Sequence, residues 1–140
     1  MNLIIPFERV RELWKRTVNI ATGVQDVRPE AGAAMLRAGA RVLDVREPEE
    51  WARGIIPGSV LVPLGQLGYR LAELEAIHSA SLLVVCHGGK RSATACRLLR
   101  RAGFTKQVNL AGGILAWSRA GLELEPVGGA TVRSRPAPAA

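Results

Sequence analysis

Apolar positions in this chain form short runs separated by stretches of helical periodicity. The clearest run is Leu82-Leu83-Val84-Val85, the pattern of a strand buried on both faces. Arg41 to Val45 reads as a second strand and Ser59 to Val62 as a third; Thr22 to Arg28 is a short edge strand and Gln107 to Leu110 the last. The segments between them change period. Pro29 suits the first turn of a helix running through Met35 to Ala38 and closed by Gly39. Glu47-Pro48-Glu49-Glu50-Trp51 opens a short helix whose acidic head suits the helix dipole. Leu67, Leu71, Leu74 and Ile77 predict one helix of roughly three turns. From Ser92, taken as N-cap, Ala95, Leu98, Leu99 and Ala102 mark a helix stopped by Gly103. A last helix follows Ala111-Gly112-Gly113 and runs through Trp117 to about Ala120.

Strands alternating with helices at this length predict an α/β domain with a mostly parallel sheet. Residues 22–126 make up that domain. Before it, residues 1–21 hold an amphipathic helix, with Phe7, Val10, Leu13, Trp14 and Val18 on one stripe and Arg9, Glu12, Lys15 and Arg16 off it. This helix packs on the domain or on a second copy, as in a homodimer; its basic face also makes it a candidate for membrane-surface or partner contact. The Gly/Pro/Ala/Arg-rich residues 127–140 read as a disordered tail.

The chain has 140 residues, 48% apolar and 22% charged, which is the composition of a soluble globular protein. Two cysteines and no secretory pattern point to a reducing, cytoplasmic setting. Net charge is +7, and no Asp or Glu occurs from Ala76 through Leu122, a segment that holds Lys90, Arg91, Arg97, Arg100, Arg101, Lys106 and Arg119. Such a field concentrates small anions and steers acidic partners. Nucleic acid is disfavoured, because no binding motif is present and aromatics are only 4%.

The chemistry concentrates between the apolar run and the helix after it, at Cys86-His87-Gly88-Gly89-Lys90-Arg91. Cys86 stands at the carboxyl end of a strand and under the positive end of a helix. The two glycines let successive N–H groups turn inward as an anion-binding nest, and Lys90 and Arg91 add positive charge. An ordinary cysteine, with pKa about 8.5, is only a few per cent thiolate at neutrality. Lowering that value by roughly two units takes about 2.7 kcal/mol, of which one helix terminus contributes up to about 2 kcal/mol. The loop is therefore expected to hold Cys86 as a nucleophilic thiolate. Ligands of open α/β sheets sit at strand carboxyl ends, which brings Asp44, Val45 and Arg46 to the same edge.

Four pieces in order, LDVREPEEW at 43–51, IPGSVLVPL at 56–64, VVCHGGKRSATA at 84–95, and AGGILAW with AGLELE at 111–117 and 120–125, resemble the single-domain rhodaneses, the sulfurtransferase family. The resemblance spans about Gln25 to Glu125. It implies a parallel five-stranded sheet flanked by helices, and a catalytic Cys86 that carries a persulfide. Sulfur would pass from a small anionic donor such as thiosulfate to cyanide, a thiol or a protein acceptor, with no metal or organic cofactor. The loop places four residues between Cys86 and Arg91, where the related dual-specificity phosphatases have five; the shorter loop suits a sulfur atom better than a phosphoryl group. His87 stands where many relatives have Arg, and Ile55 where many have His.

On this reading Cys86 is the nucleophile. The backbone of His87, Gly88, Gly89, Lys90, Arg91 and Ser92 cradles the sulfur, and Lys90 and Arg91 hold the donor's anionic end with Arg46 as a weaker candidate. Asp44 is a supporting residue that orients an arginine or a loop N–H. Cys96, one helical turn past the loop, is expected in the core, with a resolving thiol as the alternative. Trp51 and Trp117 are expected to pack, and His87 to face solvent.

Overall fold

The computed structural model describes residues 18–19 and 23–128. The elements run β1 (Val18–Asn19), β2 (Val24–Val27), α1 (Pro29–Arg37), β3 (Arg41–Asp44), α2 (Pro48–Trp51), β4 (Val60–Leu61) and α3 (Leu64–Leu67). A 3-10 helix (Leu71–Ile77) then leads to β5 (Leu82–Val85), α4 (Lys90–Arg101), β6 (Gln107–Leu110) and α5 (Gly113–Arg119). The strands form one sheet in the order β1-β2-β6-β5-β3-β4. Five of them, β2 to β6, pair in parallel, while β1 adds to β2 antiparallel.

The central strand β5 is buried along its whole length, as its unbroken apolar sequence requires. Its side chains alternate between two cores. Leu82 and Val84 pack with Leu43, Ala95, Leu99 and Phe104 on one face of the sheet. Leu83 and Val85 pack with Val42, Met35, Ile114 and Trp117 on the other. Thus α4 covers one face and α1 with α5 the other, the two-sided cover that parallel sheets need.

Three expectations are corrected. Val18 and Asn19 are extended, paired with Gln25 and Val24, so the helix expected within residues 1–21 cannot include them; the rest of that segment before Val18 lies outside the described residues, as does the tail from 129 onward. The helix expected from Leu67 to Ile77 is broken into α3 and the 3-10 turn. Its 71/74/77 spacing is three residues per turn, the 3-10 repeat. Finally, α4 begins at Lys90 with Gly89 as its cap, at φ +105°, two residues before Ser92.

Candidate active site

Register brings the site together. Asp44 at the end of β3 lies beside Val85 of β5, and the Val45 N–H donates to the Val85 carbonyl (2.9 Å), so the two strands deliver Asp44 and Cys86 to one edge. Cys86 is 1% exposed. Its Sγ accepts the Gly89 N–H (3.0 Å) and lies 3.2 Å from the Ser92 hydroxyl. Gly89 sits at a positive φ of +105°, a conformation that glycine adopts without strain and other residues rarely take. At Gly113, likewise left-handed, a Cβ would collide with the carbonyl oxygens of Cys86 and His87. Those same carbonyls accept the Ile114 and Leu115 N–H groups (2.9 and 3.2 Å), so the start of α5 clamps the loop from behind.

Ser92 is therefore not a helix cap. Its buried hydroxyl sits between Cys86 Sγ and Asn109 Oδ1, while Asn109 Nδ2 donates to Asp26 Oδ1 (2.9 Å) and the Gly89 carbonyl (3.1 Å). A hydroxyl has one proton. It can donate to the sulfur or to Asn109, so it can answer a change of charge on Cys86 by rotating.

The Asp44 carboxylate is fully buried and accepts the Arg46 backbone N–H (3.0 Å), the Arg46 guanidinium at two points and Trp51 Nε1 (3.2 Å). Arg46, 2% exposed, also donates to the carbonyls of Glu50 (3.2 Å) and Gly54 (2.8 Å). Its guanidinium thus ties the 47–54 segment to β3. These bonds fix the Arg46 guanidinium in place while it still lines the cavity beside the loop.

α2 is tied in turn to the loop. Glu50 accepts the Glu47 N–H (3.1 Å) at the start of α2 and grips Arg91 at two points, 2.6 and 2.8 Å. The Arg91 hydrogen bond, together with the charges of Arg91 and Arg46 and the Glu47 N–H, outweighs partial burial and pulls the Glu50 carboxyl down to about 2. Arg91 is raised by the same pair, with the Cys86 sulfur adding attraction.

Two cavities open on either side of the loop. One, of about 390 Å³, is lined by Arg46, Glu50, Arg53, Gly54, His87, Arg91 and Ile114. The other, of about 420 Å³, takes Gly88, Gly89 and Lys90 from the loop and faces them with Asp26, Arg97 and Asn109. The structure thus splits the expected cations: Arg91 lines the first cavity, with His87 beside it, and Lys90 lines the second. Cys96 is 2% exposed in the core, where burial, with the Asp26 charge second, pushes its thiol up to about 12. Trp51, Ile55 and Leu61 pack as a small cluster, and Trp117 is buried with its Nε1 donating to the Glu123 carbonyl (2.9 Å).

Glu50, Arg53 and Asn109 were not singled out from sequence. A loop arginine near an acidic helix at the same sheet edge was a readable signal for Glu50. A lone amide in the buried strand Val108-Asn109-Leu110, ending beside the loop, was one for Asn109.

A buried cysteine whose Sγ accepts a loop N–H thus stands between a central parallel strand and the helix after it, in an α/β domain. The rhodanese-like domain family matches residues 14–120, and the chain belongs to that family. The human thiosulfate:glutathione sulfurtransferase is 35% identical over 101 residues, spanning 64% of this chain and 88% of that protein. A Bacillus subtilis protein named "Putative sulfur carrier protein YrkF" is 39% identical over 77 residues, 55% of this chain but only 40% of that longer one. Among solved structures, a rhodanese-related protein from Thermoplasma volcanium is similar with TM-score 0.66 and 31% identity, covering 71% of this chain and 96% of that one.

Proposed function

We propose that the protein is a sulfurtransferase that passes a sulfane sulfur through a persulfide on Cys86. Cys86 Sγ attacks the outer sulfur of an anionic donor such as thiosulfate. The new bond is Sγ–S; the bond to the sulfonate sulfur breaks, and its electron pair leaves with sulfite. The Gly89 N–H and the Ser92 hydroxyl, already aimed at Sγ, steady the charge on sulfur through the step. A nucleophile such as cyanide then takes the outer sulfur, giving thiocyanate and returning the Cys86 thiolate. The observation that carries this reading is the convergence of the Gly89 N–H and the Ser92 hydroxyl on one buried sulfur. In a thiosulfate–cyanide assay, Cys86→Ser is expected to abolish turnover; turnover matching the wild type would overturn the enzymatic reading.

A second reading is a relay that hands sulfur from one protein to another, with thiosulfate turnover incidental. Similarity to a protein named as a sulfur carrier favours it, as does the acid-free, basic stretch from 76 to 122.

A further inference from the structure

One buried amide touches both residues that aim hydrogen-bond donors at Cys86. Asn109 is 4% exposed and stands in β6 between Asp26 of β2 and Val84 of β5, the latter two residues before Cys86. Its strand neighbours Val108 and Leu110 are buried and apolar, so an amide here costs stability unless its groups are paired. Every recorded pair leads to the sulfur loop or to Asp26. Nδ2 donates to Asp26 Oδ1 (2.9 Å) and to the Gly89 carbonyl (3.1 Å), while Oδ1 faces the Ser92 hydroxyl. A carboxylate and a carbonyl only accept, so the amide cannot flip without losing both of those bonds. Gly89 and Ser92 are the two residues that reach the sulfur, through the N–H of one (3.0 Å) and the hydroxyl of the other (3.2 Å).

We infer that Asn109 is a positioning residue for sulfur transfer, holding the Gly89 N–H and the Ser92 hydroxyl on Cys86 Sγ, with Asp26 anchoring its own amide. The inference rests on the sulfurtransferase reading and adds two residues that act through Gly89 and Ser92 rather than on the sulfur. Ser92 shows what the amide prevents. A serine in a helix can turn its hydroxyl to the carbonyl three or four residues back. For Ser92 the carbonyl three residues back is that of Gly89, and Asn109 Nδ2 occupies it. Asn109 Oδ1 meanwhile keeps the hydroxyl on the side of the sulfur. Gly89, which has no Cβ to limit its rotation, is fixed at its carbonyl while its N–H points at Sγ. During loading the Sγ–S bond forms and sulfite leaves with the electron pair of the broken bond; Asn109 exchanges no proton in that step.

The test is single-turnover loading of Cys86 by excess thiosulfate, followed by quenched flow and mass spectrometry. It compares wild type, Asn109→Leu, Ser92→Ala, the double variant, Asp26→Leu and Asp26→Asn. Asn109→Leu is expected to load about tenfold more slowly than wild type. In the Ser92→Ala background the same change should cost only about two- to threefold, because one of its two routes to the sulfur is already gone; packing alone would cost the same factor in both. Asp26→Leu should load several-fold more slowly. Asp26→Asn should recover most of that loss, since the new amide oxygen still accepts the Asn109 Nδ2 proton although the charge is gone. The inference is overturned if Asn109→Leu loads at the wild-type rate, if it costs the same factor with and without the Ser92 hydroxyl, or if Asp26→Asn loads no faster than Asp26→Leu. Should Asn109→Leu fail to fold, the two variants at the half-buried Asp26 decide by themselves. If wild-type Cys86 gains no sulfur from thiosulfate, the sulfurtransferase reading fails and takes the inference with it.

Discussion

At the residue scale, the site is a set of donors arranged around one sulfur. The place of Cys86 at a strand's carboxyl end, before a glycine-bearing loop, was legible in the apolar run ahead of it and the two glycines after it. Ser92 was misread for a physical reason: a serine ahead of an apolar helical stripe has the look of an N-cap, yet Gly89 at φ +105° turns the chain into the helix earlier. The hydroxyl is thereby free to face Cys86 and Asn109. Removing it takes one of the two recorded donors from the sulfur. A hydrogen bond to a charged group contributes about 1.5–3 kcal/mol, so Ser92→Ala should slow sulfur loading by tenfold or more. Stopped-flow loading kinetics would show it, and a wild-type rate would mean the hydroxyl plays no part in transfer.

At the element scale, α2 and α4 are locked by Glu50 and Arg91, residues 41 positions apart in sequence. Sequence periodicity speaks to each helix alone, which is why both helices could be predicted while the lock between them could not. The same limit explains the 64–77 region. Its leucines recur as a buried stripe, but α3 stops and Arg70 turns inward to Gln66 and Glu73 before the 3-10 turn begins. The lock has a pH signature. Glu50 sits near 2 in the folded protein against an ordinary value of 4.5, so the folded state favours its ionised form. Its contribution to stability is whole above about pH 4.5 and drains away as pH falls toward 2. In urea unfolding followed from neutrality to about pH 3, the wild type should lose more stability than Glu50→Gln. Parallel acid limbs would remove the lock from the account.

At the scale of the whole molecule, the alternation of strand and helix was enough to give a parallel sheet and to place Asp44 and Cys86 at its carboxyl edge. The antiparallel β1 was not legible, because two extended residues leave no period to detect. The residues of the candidate site lie between Asp26 and Ile114, inside the described domain. Removing residues 1–17, which spares β1, is therefore expected to keep thiosulfate–cyanide turnover within roughly twofold, as for well-separated features. A collapse of that turnover would show that the leading segment completes the site. Among the described residues no helix is long and apolar enough to cross a membrane.

One measurement bears most directly on the central claim, that Cys86 receives sulfur. Intact wild-type protein is incubated with thiosulfate, digested without reductant and analysed by mass spectrometry of the peptide containing Cys86. One added sulfur is expected on that peptide, lost on addition of cyanide, and none on the peptide containing Cys96. An unmodified Cys86 after exposure to saturating thiosulfate, with the protein folded, would contradict that claim.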